Sequence, residues 1–386
     1  MIDDDALRET FRALYGRGAR LFRAPGRVNL IGEHTDYNEG FVLPMAITRE
    51  AVAAAAPRAD RLVRVRALDL DEGAEFDLDR PGPRRRGSWI DYVEGVAQTL
   101  SARGVGLRGA DIAVTSSVPA GSGLSSSAAL EISVGLALAA VSGEEVPPVE
   151  LALAGQEAEH VWVGAMVGIM DQFISALGRR GHALLIDCRS LEASLVPFDT
   201  SDTAVVVCDT NVRHDLAASE YNTRRAECER GVGLLRGVLP KIKALRDVTV
   251  EEFERYETLL PEPVRRRCRH VVNENARTLA AADALRRGDL WEMGRLMDRS
   301  HRSLRDDYEV SCRELDVMVE IAGNFGGVLG ARMTGGGFGG STVNLVRRDA
   351  LDDFRETVAR EYTRATGLRA SVLVSEPADG ASEILD

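Results

Sequence analysis

An α+β protein of two domains is the fold class that the 386-residue sequence predicts. Three observations carry it. The chain is longer than one core usually serves, since single cores stop growing near roughly 250–300 residues. Helical and strand patterns are mixed along it without a regular βαβ alternation, which disfavours a doubly wound parallel sheet. No stretch repeats, and none is low in complexity.

The elements follow in order. The stretch to Tyr15 predicts an amphipathic helix. Arg23 to Ile47 is rich in glycine, proline and polar residues with short apolar pieces, which reads as loops and short strands. Arg61–Leu68 alternates apolar and basic residues, the pattern of a half-exposed strand. Pro81–Gly87 is an exposed connection. Ala110–Pro119 predicts a strand. Ser125–Val141 is helical in pattern, stopped by Gly143 and the Pro147–Pro148 pair, and a second helix runs from Val149 to Gly164. His182–Cys188 and Thr203–Thr210 read as buried strands. From Glu220 to Asn324 the chain is mostly helical. Val328–Val346 reads strand, glycine loop, strand. A helix (Leu351–Thr366) and a strand (Arg369–Val374) follow. The softest join, Leu191–Asp202, suggests domains of residues 1–195 and 196–386.

The formal net charge is −12. That balance argues against a nucleic acid, which wants a basic face, and against an acidic membrane surface. A small anion is still compatible, because local donors can oppose the overall charge. Lys241 and Lys243 are the only lysines among 48 basic residues, so a catalytic cation is expected to be an arginine. The five cysteines form no Cys-x-x-Cys pair. They suggest neither a disulfide framework nor a zinc site, and fit a reducing compartment. No run reaches the ~18–20 apolar residues of a membrane span, and the acidic start lacks a signal core. A cytoplasmic protein is expected, with no obligate protein partner evident.

Four motifs carry chemistry. In "VPAGSGLSSSAAL" (Val118–Leu130) two glycines and four serines join a strand to a helix. Gly121 and Gly123 let backbone approach a bound group. Ser125, Ser126 and Ser127 fall at a helix start, where unpaired amides and the macrodipole attract anions. A flexible linker is the plain alternative. The Lys of a P-loop is absent. Roughly half a positive charge cannot balance a nucleotide's phosphates, so a metal ion held by a serine and a carboxylate is expected. "RAPGRVNLIGEHTDYNEG" (Arg23–Gly40) gathers Glu33, His34, Thr35 and Asp36 after Arg27. It suits a polyhydroxylated ligand, or else a capped surface turn. "GQEAEHVWVGAMVGIMDQF" (Gly155–Phe173) sets Glu159 on a helix and Asp171 among apolar residues. Asp171 is either a helix cap or a general base paired with a cation. "MTGGGFGGSTVNL" (Met333–Leu345) formally matches Gly-x-Gly-x-x-Gly. A strand follows it where a dinucleotide site needs a helix, so backbone packed against a ligand or the serine loop is expected instead.

The three glycine-bearing motifs, in this order, resemble those of the galactokinase/homoserine kinase/mevalonate kinase/phosphomevalonate kinase superfamily. "GRVNLIGEHTDYN" (Gly26–Asn38) resembles the galactokinase signature in particular. "CDTN" (Cys208–Asn211), "SEYNTRR" (Ser219–Arg225) and "SHRSLRDDYEVSCRELD" (Ser300–Asp316) are similar to galactokinase segments, so the likeness covers nearly the whole chain. It implies a two-domain sugar kinase with its active site in the interdomain cleft. It implies transfer of the ATP γ-phosphoryl to the anomeric hydroxyl of α-D-galactose. By resemblance Asp171 is the proton acceptor and Arg27 the charge stabiliser. Glu33, His34, Asp36, Gly168 and Tyr221 match sugar contacts. Gly121, Ser122, Gly123, Leu124, Ser125, Ser126 and Ser127 match the phosphate loop. Ser127 and Glu159 match Mg²⁺ ligands, and Trp89 lies near the adenine. None of the sugar, phosphate-loop, metal or catalytic positions departs from the family pattern. A kinase of another hexose, and a non-catalytic galactose sensor, are the alternatives.

Overall fold

The computed structural model describes residues 2–213 and 217–385. Helix α1 (Asp4–Tyr15) opens on Asp3, whose carboxylate accepts from the Ala6 amide, and ends at Gly16 in the left-handed region. Then come β1 (Arg20–Asn29), β2 (Phe41–Val42), β3 (Pro44–Pro57), β4 (Leu62–Ala67), β5 (Glu72–Asp77), α2 (Ile90–Ala102) and β6 (Ala110–Ser116). Helices α3 (Ser126–Ser142), α4 (Pro148–Ala158) and α5 (Met170–Leu177) precede β7 (His182–Asp187), β8 (Glu192–Pro197) and β9 (Thr203–Asp209). A helical stretch follows: α6 (Ala217–Leu235), α7 (Val250–Tyr256), α8 (Val264–Arg286), α9 (Leu290–Ser303) and α10 (Arg313–Gly323). The chain closes with β10 (Val328–Thr334), β11 (Ser341–Arg347), α11 (Leu351–Thr366), β12 (Ser371–Ser375) and β13 (Ser382–Ile384).

The strands form three sheets. The first has the order β13-β1-β3-β6-β4-β5, antiparallel except for β4 beside β6. The second, β10-β11-β9-β12, is wholly antiparallel, as is the small sheet β2-β7-β8. Leu195 lies inside β8, and the chain passes to the second sheet through residues 198–202.

One expectation is corrected here. Arg23–Ile47, read as loops and short strands, holds most of the ten-residue β1 and the start of the fourteen-residue β3. These strands are covered on both sides. Leu21, Val52 and Ala54 pack under α1 with Leu7 and Phe11, while Phe22, Ala53 and Ala55 belong to the opposite core with residues of α3. A strand sandwiched between helices has room for small side chains on both faces, so β3 carries alanines where alternation would show a half-exposed strand. Helix α2 also went unread. The predicted helix from Val149 to Gly164 is α4 continued by a widened π turn, Glu159–Val163. Such single turns often accompany functional sites. Among the described residues no helix is long and apolar enough to cross a membrane, and all five cysteines are unpaired.

Candidate active site

Strand β1 delivers Arg27 to the centre of the molecule. Its pairing with β3 shifts register between Pro25 and Arg27. Such an irregularity re-aims the chain, and the Arg27 amide bonds the Leu124 carbonyl of the serine loop at 3.1 Å. Arg27 is 5 % exposed. Its Nε and Nη2 donate to the two carboxylate oxygens of Asp171, each at 2.8 Å, and Nη1 donates to the Gly123 carbonyl at 2.5 Å. Two parallel charge-assisted bonds fix the carboxylate in direction as well as place. Asp171 sits in the first turn of α5, after Ile169 rather than at the cap. It is therefore the paired carboxylate, not the cap, of the two sequence readings.

The serine loop enters α3 through Ser125, whose backbone is left-handed (φ 60°) and whose side chain caps nothing in the helix. Its hydroxyl donates to Asp171 instead. The first amides of α3 are thus left without a side-chain acceptor, as an anion site requires. Ser126, Ser127 and Gly121 line a cavity of about 550 Å³ shared with Leu70, Trp89 and Tyr92. Ser122 and Leu124 belong to the loop through their backbone alone. The Ser122 hydroxyl donates inward to the Pro119 carbonyl at 2.7 Å, and the Leu124 side chain is 2 % exposed in the core, so neither side chain faces a ligand. The third glycine motif packs on this loop, as one of its two readings held. A Cβ at Gly335 would stand 3.1 Å from the Gly123 carbonyl oxygen, and the Ser341 hydroxyl donates to the Ser122 carbonyl at 2.7 Å.

Ser127 and Glu159 come together. The Ser127 hydroxyl donates to Glu159 Oε1 at 3.0 Å, and Gln172 Nε2 donates to the same oxygen at 3.1 Å. Burial first, and then the Asp171 charge, push the Glu159 carboxyl up to about 7.

Arg27 and Asp171 themselves line a smaller cavity of about 250 Å³. Its size suits a single sugar better than a drug-sized ligand, whose pockets run roughly 300–1,000 Å³. Glu33, His34, Asp36, Gly168 and Tyr221 all line it. Helix α8 holds the signature turn from behind. Glu274 accepts from the Gly32 amide at 3.1 Å, Asn275 from the Phe41 amide at 2.9 Å, and His270 Nε2 bonds the Glu33 carbonyl at 3.1 Å. Strand β10 sets the Glu33 carboxylate, which accepts from the Gly335 amide at 2.7 Å and from Thr334 at 3.2 Å, with the wholly buried Arg332 at 3.4 Å. Gly168 is required by contact, since a Cβ there would lie 1.8 Å from Asp36 Oδ2. Thr35 is a correction. It is fully buried, and its hydroxyl bonds the Gly32 and Phe41 carbonyls at 2.7 Å each. It clips the turn and does not reach the cavity.

Arg213 was missed. It lies against Gly121, where a Cβ would meet its Cδ at 3.0 Å, and it is held by both oxygens of Asp209 at 2.9 and 2.7 Å. Its sequence signal, a cation just past a buried strand, is one that ordinary surface arginines share.

The Asp36 carboxyl is pushed up to about 7, by burial first and then by the Asp171 and Glu33 charges. Unfolded, it would titrate near ~3.9. The folded state therefore keeps this proton longer, and Asp36 withdraws stability as pH rises from about 4 to about 7. Asp36→Asn removes that loss. Its Tm relative to the parent is expected to climb across this window in thermal melts, and a constant offset would refute the shift.

Three family descriptions match the chain: the galactokinase galactose-binding signature (residues 9–57), the GHMP kinases N-terminal domain (91–179) and the GHMP kinases C-terminal domain (281–364). The galactokinase of Chloroflexus aurantiacus is 52 % identical over 383 residues, covering 99 % of this chain and 98 % of its own. That of Roseiflexus sp. is 48 % identical over 387 residues, covering 100 % and 98 %. The crystal structure of Lactococcus lactis galactokinase complexed with galactose superposes with a TM-score of 0.95 at 38 % identity, covering 98 % of this chain and 99 % of that one. Methanococcus jannaschii mevalonate kinase shares the fold alone, with a TM-score of 0.66 at 19 % identity over 94 % and 99 % of the two chains. With the whole length matched and the paired arginine and aspartate lining a sugar-sized cavity, the chain belongs to the galactokinase family.

Proposed function

We propose that the protein transfers the γ-phosphoryl of ATP to the anomeric hydroxyl of α-D-galactose, giving galactose 1-phosphate and ADP. One observation carries the reading: the Arg27–Asp171 pair lines a sugar-sized cavity and is bonded through Gly123 and Ser125 to the serine loop, whose Gly121, Ser126 and Ser127 line a larger cavity at the bare start of α3. Phosphoryl transfer asks mainly for positioning and charge stabilisation, and this arrangement offers both.

In this reading the galactose lies against Glu33, His34, Asp36, Gly168 and Tyr221, with its anomeric hydroxyl toward Asp171. Asp171 orients that hydroxyl and accepts its proton as the new O–P bond forms. Arg27 holds Asp171 in place and faces the charge of the transferring group. The amides of α3 and the backbone of Gly121–Ser127 grip the nucleotide's phosphates, with Arg213 beside Gly121 as a second cation. Leu70, Trp89 and Tyr92 offer flat and apolar surface to the base. The five unpaired cysteines suit a reducing cytoplasm.

The residues fit Mg²⁺. Among the described residues no group of three or more metal-ligating side chains forms a protein cage. Mg²⁺ ordinarily takes one or two protein ligands and completes its shell with phosphate and water. Ser127 and Glu159 supply such a half-shell, and the buried Glu159 carboxyl faces the Asp171 charge, which a cation there would relieve. When bound, the ion would neutralise charge on the phosphate oxygens.

An ADP-release assay with galactose, glucose and N-acetylgalactosamine tests the reading. Galactose-dependent ADP production is expected. Binding of galactose and ATP without ADP release would make the protein a sensor, and preference for N-acetylgalactosamine would reassign the substrate.

A further inference from the structure

Behind His34 of the small cavity runs a line of polar groups to which the proposed reaction gives no role. His34 Nδ1 lies 2.9 Å from the Tyr37 hydroxyl, that hydroxyl lies 2.7 Å from the Tyr308 hydroxyl, and Tyr308 lies 3.2 Å from the Cys228 sulfur. His34, Tyr308 and Cys228 are buried. The His34 ring also stacks near Tyr308, with centroids 4.8 Å apart. At the far end, His34 Nε2 is buried without a hydrogen-bond partner, on a residue that lines the cavity.

Each hydroxyl has one proton to give, so the line can point only two ways. Pointed inward, Tyr308 would donate to sulfur, a weak acceptor, that already faces the Asn38 amide. Pointed outward, the thiol donates to Tyr308, Tyr308 to Tyr37, and Tyr37 to an imidazole nitrogen, which is a strong acceptor. The outward direction wins on acceptor strength. It makes Nδ1 an acceptor and leaves the ring proton on Nε2. Burial first, and then the nearby His270, hold the ring well below its ordinary pKa, so it is neutral and carries one proton. The Gly336 carbonyl lies near the ring, but Nε2 makes no hydrogen bond of proper geometry within the protein. A buried N–H with no well-aligned acceptor is costly, and an oxygen of whatever fills the cavity that His34 lines supplies one.

We infer that Cys228, Tyr308 and Tyr37 form a relay that fixes His34 as the Nε2–H tautomer, so that it donates to one hydroxyl oxygen of the sugar. The inference rests on the galactose reading of this cavity and deepens it. Tyr37 and Tyr308 are positioning residues, since they act through His34. Their effect is on which hydroxyl pattern is accepted.

The test has two arms. Histidine-selective ¹⁵N labelling, read by long-range ¹H–¹⁵N correlation on the sugar-free protein, should show His34 with a protonated Nε2 and a bare Nδ1. A proton on Nδ1 overturns the relay, and this arm needs neither a variant nor a substrate. Tyr37→Phe, checked for an unchanged fold by circular dichroism, should raise the galactose KM about three- to tenfold, the worth of one hydrogen bond, with a smaller change in kcat. Against galactoses lacking one hydroxyl at a time, that KM penalty should vanish for one analogue. A penalty equal on all of them overturns the proposal. A wild-type protein that phosphorylates no galactose would remove the underlying reading and leave the tautomer result standing.

Discussion

Asp171→Asn is expected to lower kcat by about 10²–10⁴-fold, the usual worth of a positioned base, with galactose and ATP binding little changed. The substitution keeps the shape of the side chain and removes its charge. Arg27 donates to both carboxylate oxygens, and asparagine can accept on one only. One of the two bonds is therefore lost, and the Ser125 hydroxyl competes for the oxygen that remains. Single-turnover phosphorylation separates chemistry from product release, and isothermal titration with galactose reads binding directly. A kcat within a few-fold of the parent would remove Asp171 from the chemistry.

Arg27 should be the other sensitive position, and its two substitutions part cleanly. Arg27→Met leaves Asp171 without its paired cation and the Gly123 carbonyl without its donor. Breaking a buried pair by removing one partner costs roughly 3–5 kcal/mol, and the lower end applies because the Asp171 side chain keeps 24 % of its surface open. Both Tm and activity should fall. Arg27→Lys retains the charge but not the planar fork. It should preserve most of the stability and still lose about 10²–10³-fold in kcat/KM, as when a fixed donor to a developing charge is removed. A lysine variant with parental turnover would show that charge alone suffices there.

The site was more legible than the scaffold, for a physical reason. Loops that grip ligands need glycine, serine and carboxylates at fixed spacings, and those residues stand out against an apolar background. Ser125, Glu159 and Asp171 could be picked out before any contact was known. The scaffold hides where burial is symmetrical. Ala53 and Ala55 face one core and Val52 and Ala54 the other, so β3 shows no alternation, and alanine's helix preference points the wrong way. Thr35 misled because a hydroxyl among cavity-lining polar residues looks the same whether it bonds a ligand or two carbonyls. Arg213 was invisible because its partner, the backbone of Gly121, is nearly a hundred positions away and carries no side chain. The relay behind His34 was likewise beyond reach, joining a turn to residues of two distant helical segments.

The pairing of β13 with β1 bears on how the protein is made. Glu383 grips Arg20 across 363 positions of sequence, and Ser382–Ile384 lie beside Leu21–Arg23 on the strand that carries Arg27. During synthesis that strand must wait, its outer edge open to any stray partner, until nearly all of these residues have left the ribosome. Arg27 thus rides on a strand whose edge Ser382–Ile384 seal.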